Sequence, residues 1–289
     1  MDAVARIEQS LEAALRRAVS CESPPLLGGA MQHAVLPGGG RIRPRLCLAV
    51  ARACAEDHPR LSDAAACAIE LLHCASLVHD DLPCFDDAEL RRGRPSVHTA
   101  FGEPLAVLAG DALIVLAFQT LASGATSMPS RLPGLLEVLA SAVGMPAGIV
   151  AGQAMESEPR LSLGCYQQAK TGALFRAATT MGALAAGAPP DRWGALGEHL
   201  GAAYQVADDI KDVVASEIET GKPSMQDERL DRPSSARSLG VKAAVSLLET
   251  LLERALSSVP DCPDAEWLRQ QVALESARIL PARIMRLAA

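Results

Sequence analysis

Leucine and alanine recur every three or four residues through 4–19, 42–55, 62–79, 104–122, 133–155, 165–186, 192–215 and 239–257. That spacing lays apolar side chains along one stripe of a 3.6-residue helix, so each segment is read as an α-helix. Alternation at period two over β-branched or aromatic residues is almost absent, and no Asn-Gly pair marks a hairpin. Short stretches rich in Gly and Pro, at 36–40, 187–190 and 259–260, separate the helices without forming a linker. With no internal repeat and no low-complexity tract, the pattern predicts a single all-α domain over 1–289, a helical bundle. Residues 216–238, SEIETGKPSMQDERLDRPSSARS, break the periodicity; so long a polar loop in a compact domain is commonly functional, and it is expected to be an active-site lid.

Composition narrows the class. Hydrophobic residues make up 49% and charged residues 21% of 289, which is enough for a sizeable core. Aromatics at 3% and a formal net charge of −7 argue against a nucleic-acid partner, which needs stacking platforms and basic surface. None of the eight cysteines forms a C-x-x-C, and Cys67 and Cys74 lie seven apart in an apolar helical pattern, so free buried thiols in a reducing cytoplasmic compartment are expected. The N-terminus, MDAVARIEQSLEAALRRA, begins an amphipathic helix rather than a signal sequence. No stable membrane insertion is expected, because Asp111 and Glu137 interrupt the runs closest to the ~18 to 20 apolar residues a span needs.

Candidate chemistry sits in two acidic clusters. Asp80, Asp81, Asp86 and Asp87 fall in HDDLPCFDDAELRRGRP, and Asp208, Asp209 and Asp212 in YQVADDIKD, both flanked by apolar helical pattern. Carboxylates are rarely buried without compensation, so the clusters point to a cation. In a helix, Asp208 and Asp212 share a face, with Asp209 to its side. Oxygen donors without thiolate or imidazole at ligand spacing favour Mg²⁺, which completes its shell with phosphate oxygens. Arg91 and Arg92 follow the first cluster, Lys170 lies between the two, and Lys222 and Arg232 follow the second; such cations match diphosphate oxygens left uncovered by metal.

Taken together these motifs resemble the trans-isoprenyl diphosphate synthase family. The similarity runs from about Gly38 to Gly240 through GGGRIRP, IELLHCASLVHDDLPCFDDAELRRGRPSVH, LAGDAL, GQAM, KTGALF, YQVADDIKD and TGKP. The resemblance implies an isoprenoid synthase-type helical bundle around a central cavity, a homodimer, and head-to-tail condensation of an allylic diphosphate with isopentenyl diphosphate. It implies three Mg²⁺ bound with the allylic diphosphate by Asp80, Asp81, Asp86, Asp208, Asp209 and Asp212, with Arg91, Lys170, Lys222 and Arg232 completing the cradle. Lys170, Thr171 and Gln205 match positions facing the allylic substrate and the developing cation. Arg43, His73 and Arg92 match the site for isopentenyl diphosphate, although a lone histidine in an apolar helix would otherwise read as core. The family's usual base is released diphosphate, so no protein base is assigned.

One departure matters: Gly40 stands where the family usually has lysine, which removes a cation from the isopentenyl diphosphate site. Arg41 or Arg45 is the candidate replacement. For product length, Ala75 lies five residues before Asp80, about 7.5 Å along a helix, with Ser76 next. Family members that stop at fifteen carbons usually carry an aromatic ring there. A small residue favours the twenty-carbon product, geranylgeranyl diphosphate, while Phe118 from a neighbouring helix is the candidate for closing the pocket earlier. Farnesyl diphosphate synthase, a non-catalytic partner subunit and a terpene cyclase are the alternatives; the cyclase fits DDIKD poorly, and the non-catalytic subunit fits poorly with two complete aspartate clusters.

Overall fold

The computed structural model describes residues 2–36, 38–159, 162–214 and 235–279. Among these residues the chain is all-α apart from one small hairpin. Helices α1 (Ala3–Ala18), α2 (Pro25–Val35) and α3 (Ile42–Ala53) lead into α4 (Pro59–Asp80). Strands β1 (Leu90–Arg91) and β2 (Arg94–Pro95) and helix α5 (Val97–Phe101) follow, and then α6 (Glu103–Gly124), α7 (Leu132–Val143) and α8 (Ile149–Met155). Next come α9 (Leu163–Gln167), a π-helical turn (Gln168–Gly172), α10 (Ala173–Ala185) and α11 (Gly194–Val214). Helices α12 (Ser235–Leu239), α13 (Val241–Ser257) and α14 (Ala265–Ile279) end the described chain. Pro25, Pro59, Pro104 and Pro133 stand in the first turns of α2, α4, α6 and α7, where the missing N–H costs nothing.

Helices α4 and α10 form the centre, packed on each other and on α3, with α6 against α4 and α7 and α11 against α10. Their composition allows this. Ala64 to Ala68 of α4 and Ala177, Ala178 and Gly182 of α10 are buried small residues that let helix axes approach closely. A second apolar cluster, around Val206, Ile210, Ala244 and Leu248, joins α11 to α13. At the periphery Arg52 lies 3.9 Å from the centre of the Trp267 ring and so holds α14 to α3.

Four features differ from the sequence pattern. The segment 133–155 is two helices, because α7 stops at Val143 before Gly144 and Pro146, and α8 restarts at Ile149. The segment 239–257 begins only after Gly240, whose φ of 83° separates α12 from α13. Helices α2, α5 and α14 lie where the periodicity is weak. The hairpin turns on Arg92 and Gly93, with φ of 55° and 73°, the left-handed pair that a two-residue turn needs. Of the expected lid only Ser235–Ser238 is described, within α12; residues 216–234, including Lys222 and Arg232, lie outside the described residues.

Helices α4 and Glu103–Ser127, which contains α6, are long and apolar enough to cross a membrane by length and composition. The apolar window of the first is 78% buried in the bundle, that of the second 44%.

Candidate active site

A cavity of about 800 Å³ opens between the C-terminal end of α4, α8, the π-helical turn and α11. The end of α4 and the loop after it bring Asp80 and Asp86 to the cavity, and α11 brings Asp208 from the other side. Below them the walls turn apolar, with Ala75, Ile114, Val143 and Ile149. An acidic entrance over an apolar shaft suits a molecule with a multiply charged head and a hydrocarbon tail.

The two aspartate clusters divide their work. Asp81 does not line the cavity: its carboxylate is 3% exposed and accepts from Arg91 Nε at 2.9 Å, and from Nη2 as well. Burial pushes the Asp81 carboxyl up, and Arg91 opposes that shift. Asp209 also turns away from the cavity, accepting from Gln205 Nε2 at 2.9 Å and from the backbone N–H of Ser235 at 2.6 Å. It thereby caps the start of α12, where a carboxylate is favoured. Burial raises its pKa, and the bonds from Gln205 and Ser235 work against the rise. Asp212 is buried one turn after Asp208. The sequence places Asp208, Asp209 and Asp212 on one patch, whereas in the fold only Asp208 of the three lines the cavity.

Among the described residues no three carboxylate, imidazole or thiolate groups converge on a single point. The donors facing the cavity, Asp80, Asp86 and Asp208, are all carboxylate oxygens. That set fits Mg²⁺, which takes one or two carboxylates and completes its shell with ligand phosphates and water.

Lys170 crosses the entrance from the π-helical turn. Its Nζ donates to Glu156 Oε1 at 2.5 Å and Asp80 Oδ1 at 3.3 Å, and the Tyr166 hydroxyl donates to the same Glu156 oxygen at 2.6 Å. A Cβ on Gly152 would overlap the Lys170 backbone, which explains the glycine in GQAM: α8 packs directly on the π-helical turn. Thr171 Oγ1 donates to Gln205 Oε1 at 2.7 Å, so the chain Thr171, Gln205, Asp209 fixes the orientation of the amide on the cavity wall.

Also on the cavity lining, Arg43 lies over the Phe175 ring at 4.6 Å and Tyr204 at 5.6 Å, and its Nη1 is 3.4 Å from His73 Nε2. A guanidinium only donates, so His73 Nε2 accepts. Burial and, next, Arg43 and Arg92 hold the His73 pKa well below 6.5, which keeps the ring neutral. Among the described residues Arg43 Nε is buried without a hydrogen-bond partner, the type of donor that an anionic ligand satisfies. Arg92 lines the same region.

Gly40 borders the cavity, and of the two expected substitutes for its missing cation Arg41 lines the cavity too, but both arginines are paired with carboxylates. Arg41 is committed to Glu8 and Glu70, and Arg45 pairs with Glu275. Ala75 and Ser76 line the shaft. Phe118 does not: it is half-buried against the core, and Ile114, one turn earlier on α6, takes the wall position. Glu156, Tyr166 and Tyr204 were not singled out from the sequence, although Glu156 directly follows GQAM and Tyr204 opens YQVADDIKD.

Residues 24–265 match the polyprenyl synthetase family model. The chain is 51% identical to the geranylgeranyl diphosphate synthase of Cereibacter sphaeroides over 96% of its own length and 97% of the relative's. It is 39% identical to the farnesyl diphosphate synthase of Geobacillus stearothermophilus, covering 86% and 87%. Among solved structures it resembles a geranyltransferase from Helicobacter pylori complexed with magnesium and isoprenyl diphosphate, with a TM-score of 0.78, 31% identity, and 96% and 97% coverage. The fold is that of an isoprenoid synthase, an all-helical prenyl-transferring enzyme. The chain belongs to the polyprenyl synthetase family, the trans-isoprenyl diphosphate synthases.

Proposed function

We propose that this protein condenses isopentenyl diphosphate with allylic diphosphates to give geranylgeranyl diphosphate, using Mg²⁺. The observation that carries this reading is the cavity itself: facing carboxylates and Lys170 at the entrance, a separate Arg43/His73/Arg92 group, and an apolar shaft that runs past Ala75. Two anion sites on one shaft fit two diphosphate substrates, one whose diphosphate departs and one whose diphosphate stays in the product.

Breaking the allylic carbon–oxygen bond leaves negative charge on the departing diphosphate. Lys170 and Arg91 both line the cavity, where they can donate hydrogen bonds to those oxygens. Asp80, Asp86 and Asp208 would hold Mg²⁺, which when bound adds Lewis-acid stabilisation of the same oxygens. The carbocation left behind would be met by Gln205, a cavity-lining side chain held in place by Thr171 and Asp209. Arg43 and Arg92 would keep the isopentenyl diphosphate oriented, and neutral His73 orients Arg43. The apolar walls exclude water, which would otherwise trap the cation as an alcohol.

A homodimer is supported by α6, whose Val107, Leu108 and Val115 are 43%, 51% and 55% exposed on one face. A reducing, cytoplasmic setting is supported by eight free cysteines. The test is incubation with Mg²⁺, isopentenyl diphosphate and five-, ten- or fifteen-carbon allylic diphosphates, with products read by mass spectrometry. A twenty-carbon diphosphate is expected, and Asp80→Ala or Asp208→Ala should each lower kcat by several orders of magnitude with the fold intact. Absence of elongation with every primer would overturn the reading.

A further inference from the structure

Arg41 is more heavily engaged than any catalytic group around it. It stands before α3 with a φ of 49°, in the left-handed region, and its side chain is 2% exposed. Its Nε donates to Glu8 Oε1 at 2.7 Å and its Nη2 to Glu8 Oε2 at 3.2 Å, a two-pronged pair that sets the plane of the guanidinium. Its Nη1 donates to Glu70 Oε1 at 2.6 Å and Nη2 also to the Val35 carbonyl at 2.8 Å. One side chain thus ties α1, the end of α2 and α4 to the start of α3.

The glycine loop rests on this plane. A Cβ on Gly38 would overlap the Arg41 guanidinium, and a Cβ on Gly39 would come within 2.8 Å of Arg92 Nε. Residues 38 and 39 are therefore held between two guanidinium groups. The Arg92 group lines the cavity, Arg43 lies two residues after Arg41, and His73 lies one turn after Glu70 on α4. Every member of the proposed isopentenyl diphosphate site is thus attached to something that Arg41 holds.

We infer that Glu8, on a helix that precedes the family match, is a positioning residue for the isopentenyl diphosphate site, acting through Arg41. The inference rests on the function proposed above. Glu8 is the partly exposed member of the triad, 32% against 2% for Glu70, so altering it leaves the buried Arg41–Glu70 pair in place. Helix α1 is anchored independently by Arg6, which pairs with Glu56 and Asp63, and by buried Ile7, Leu11 and Leu15. Without Glu8 the guanidinium is free to turn about its remaining bonds toward Gly38, which moves the loop and Arg92 with it.

Glu8→Ala and Glu8→Gln separate the roles Glu8 can play. Positioning predicts that Glu8→Ala raises KM for isopentenyl diphosphate roughly tenfold, the scale of one charge-assisted hydrogen bond, while kcat and the KM of the allylic substrate stay within about twofold. Glu8→Gln should restore most of that affinity, because its amide oxygen still accepts from Arg41 Nε. If both variants instead bind isopentenyl diphosphate more tightly, Glu8 acts only by its negative charge, and the inference fails. It fails also if the melting temperature drops while both KM values hold, or if all kinetic constants fall together. Calorimetric titration of each protein with isopentenyl diphosphate alone completes the test. Wild type that does not bind would overturn the function and this inference with it, whereas wild type and Glu8→Ala binding equally would overturn this inference alone.

Discussion

At Gly40 an added Cβ would meet only the Ile42 side chain, at 3.4 and 3.6 Å, and the backbone is not in the positive-φ region, so a side chain fits. Nearby cations do not fill the gap, since Arg41 and Arg45 are bound to carboxylates. Gly40→Lys should therefore lower the KM for isopentenyl diphosphate by roughly tenfold, as expected for one added charge-assisted contact, with kcat unchanged. An unchanged KM in steady-state assays would mean that Arg43 and Arg92 already meet the diphosphate in full. The three adjacent glycines look alike in the sequence but differ in the fold. Gly38 and Gly39 each lie under a guanidinium, whereas a Cβ on Gly40 would make only ordinary contact with the Ile42 side chain. Residue identity announced the aspartates, but which of them face the cavity depends on partners far away in sequence, such as Ser235 for Asp209.

Between elements the close approaches are made by glycine. At the crossing of α10 on α3, a Cβ on Gly182 would overlap the Cys47 carbonyl and come within 3.0 Å of the Val50 Cβ. Backbone cannot move aside as a flexible side-chain end can, so Gly182→Ala should destabilise the fold by about 1–3 kcal/mol. Gly164→Ala, where nothing lies within 4 Å, should stay within about 0.5 kcal/mol; urea denaturation of both variants gives the comparison. The periodicity of residues 165–186 showed a helix but not its π-helical turn, since one extra residue in a turn barely alters an apolar spacing. That turn aims Lys170 at the entrance, so the detail missed by pattern reading is the one closest to the chemistry.

For the whole molecule, the proposed function makes the depth of the shaft the feature that would set product length. Ala75 is buried on its wall, and Ala75→Phe should shift the main product from twenty to fifteen carbons, as seen by mass spectrometry of the hydrolysed products. An unchanged product would move the floor to Ile114 and Val143. Burial also sorts the thiols. It raises Cys54, Cys67 and Cys74 to about 12 and Cys47 higher, so all four remain protonated at neutral pH. A thiol reagent at pH 8 should quickly modify exposed Cys21, Cys84 and Cys165, and should reach these four only in denaturant. Rapid reaction of all eight in the native protein would contradict this packing.

The sequence alone determined the helical class, the main helices and the residue types of the chemistry. Those depend on spacing within a few turns and on side-chain chemistry, both of which are local. Only the tertiary structure decided that Asp80, Asp86 and Asp208 face one cavity while Asp81 and Asp209 turn to Arg91 and Ser235. It also decided that Arg41 is a strut instead of a ligand and that Ile114 stands where Phe118 was expected. These outcomes depend on which helices cross and how closely, and a buried charge takes whichever partner that packing brings within hydrogen-bond distance.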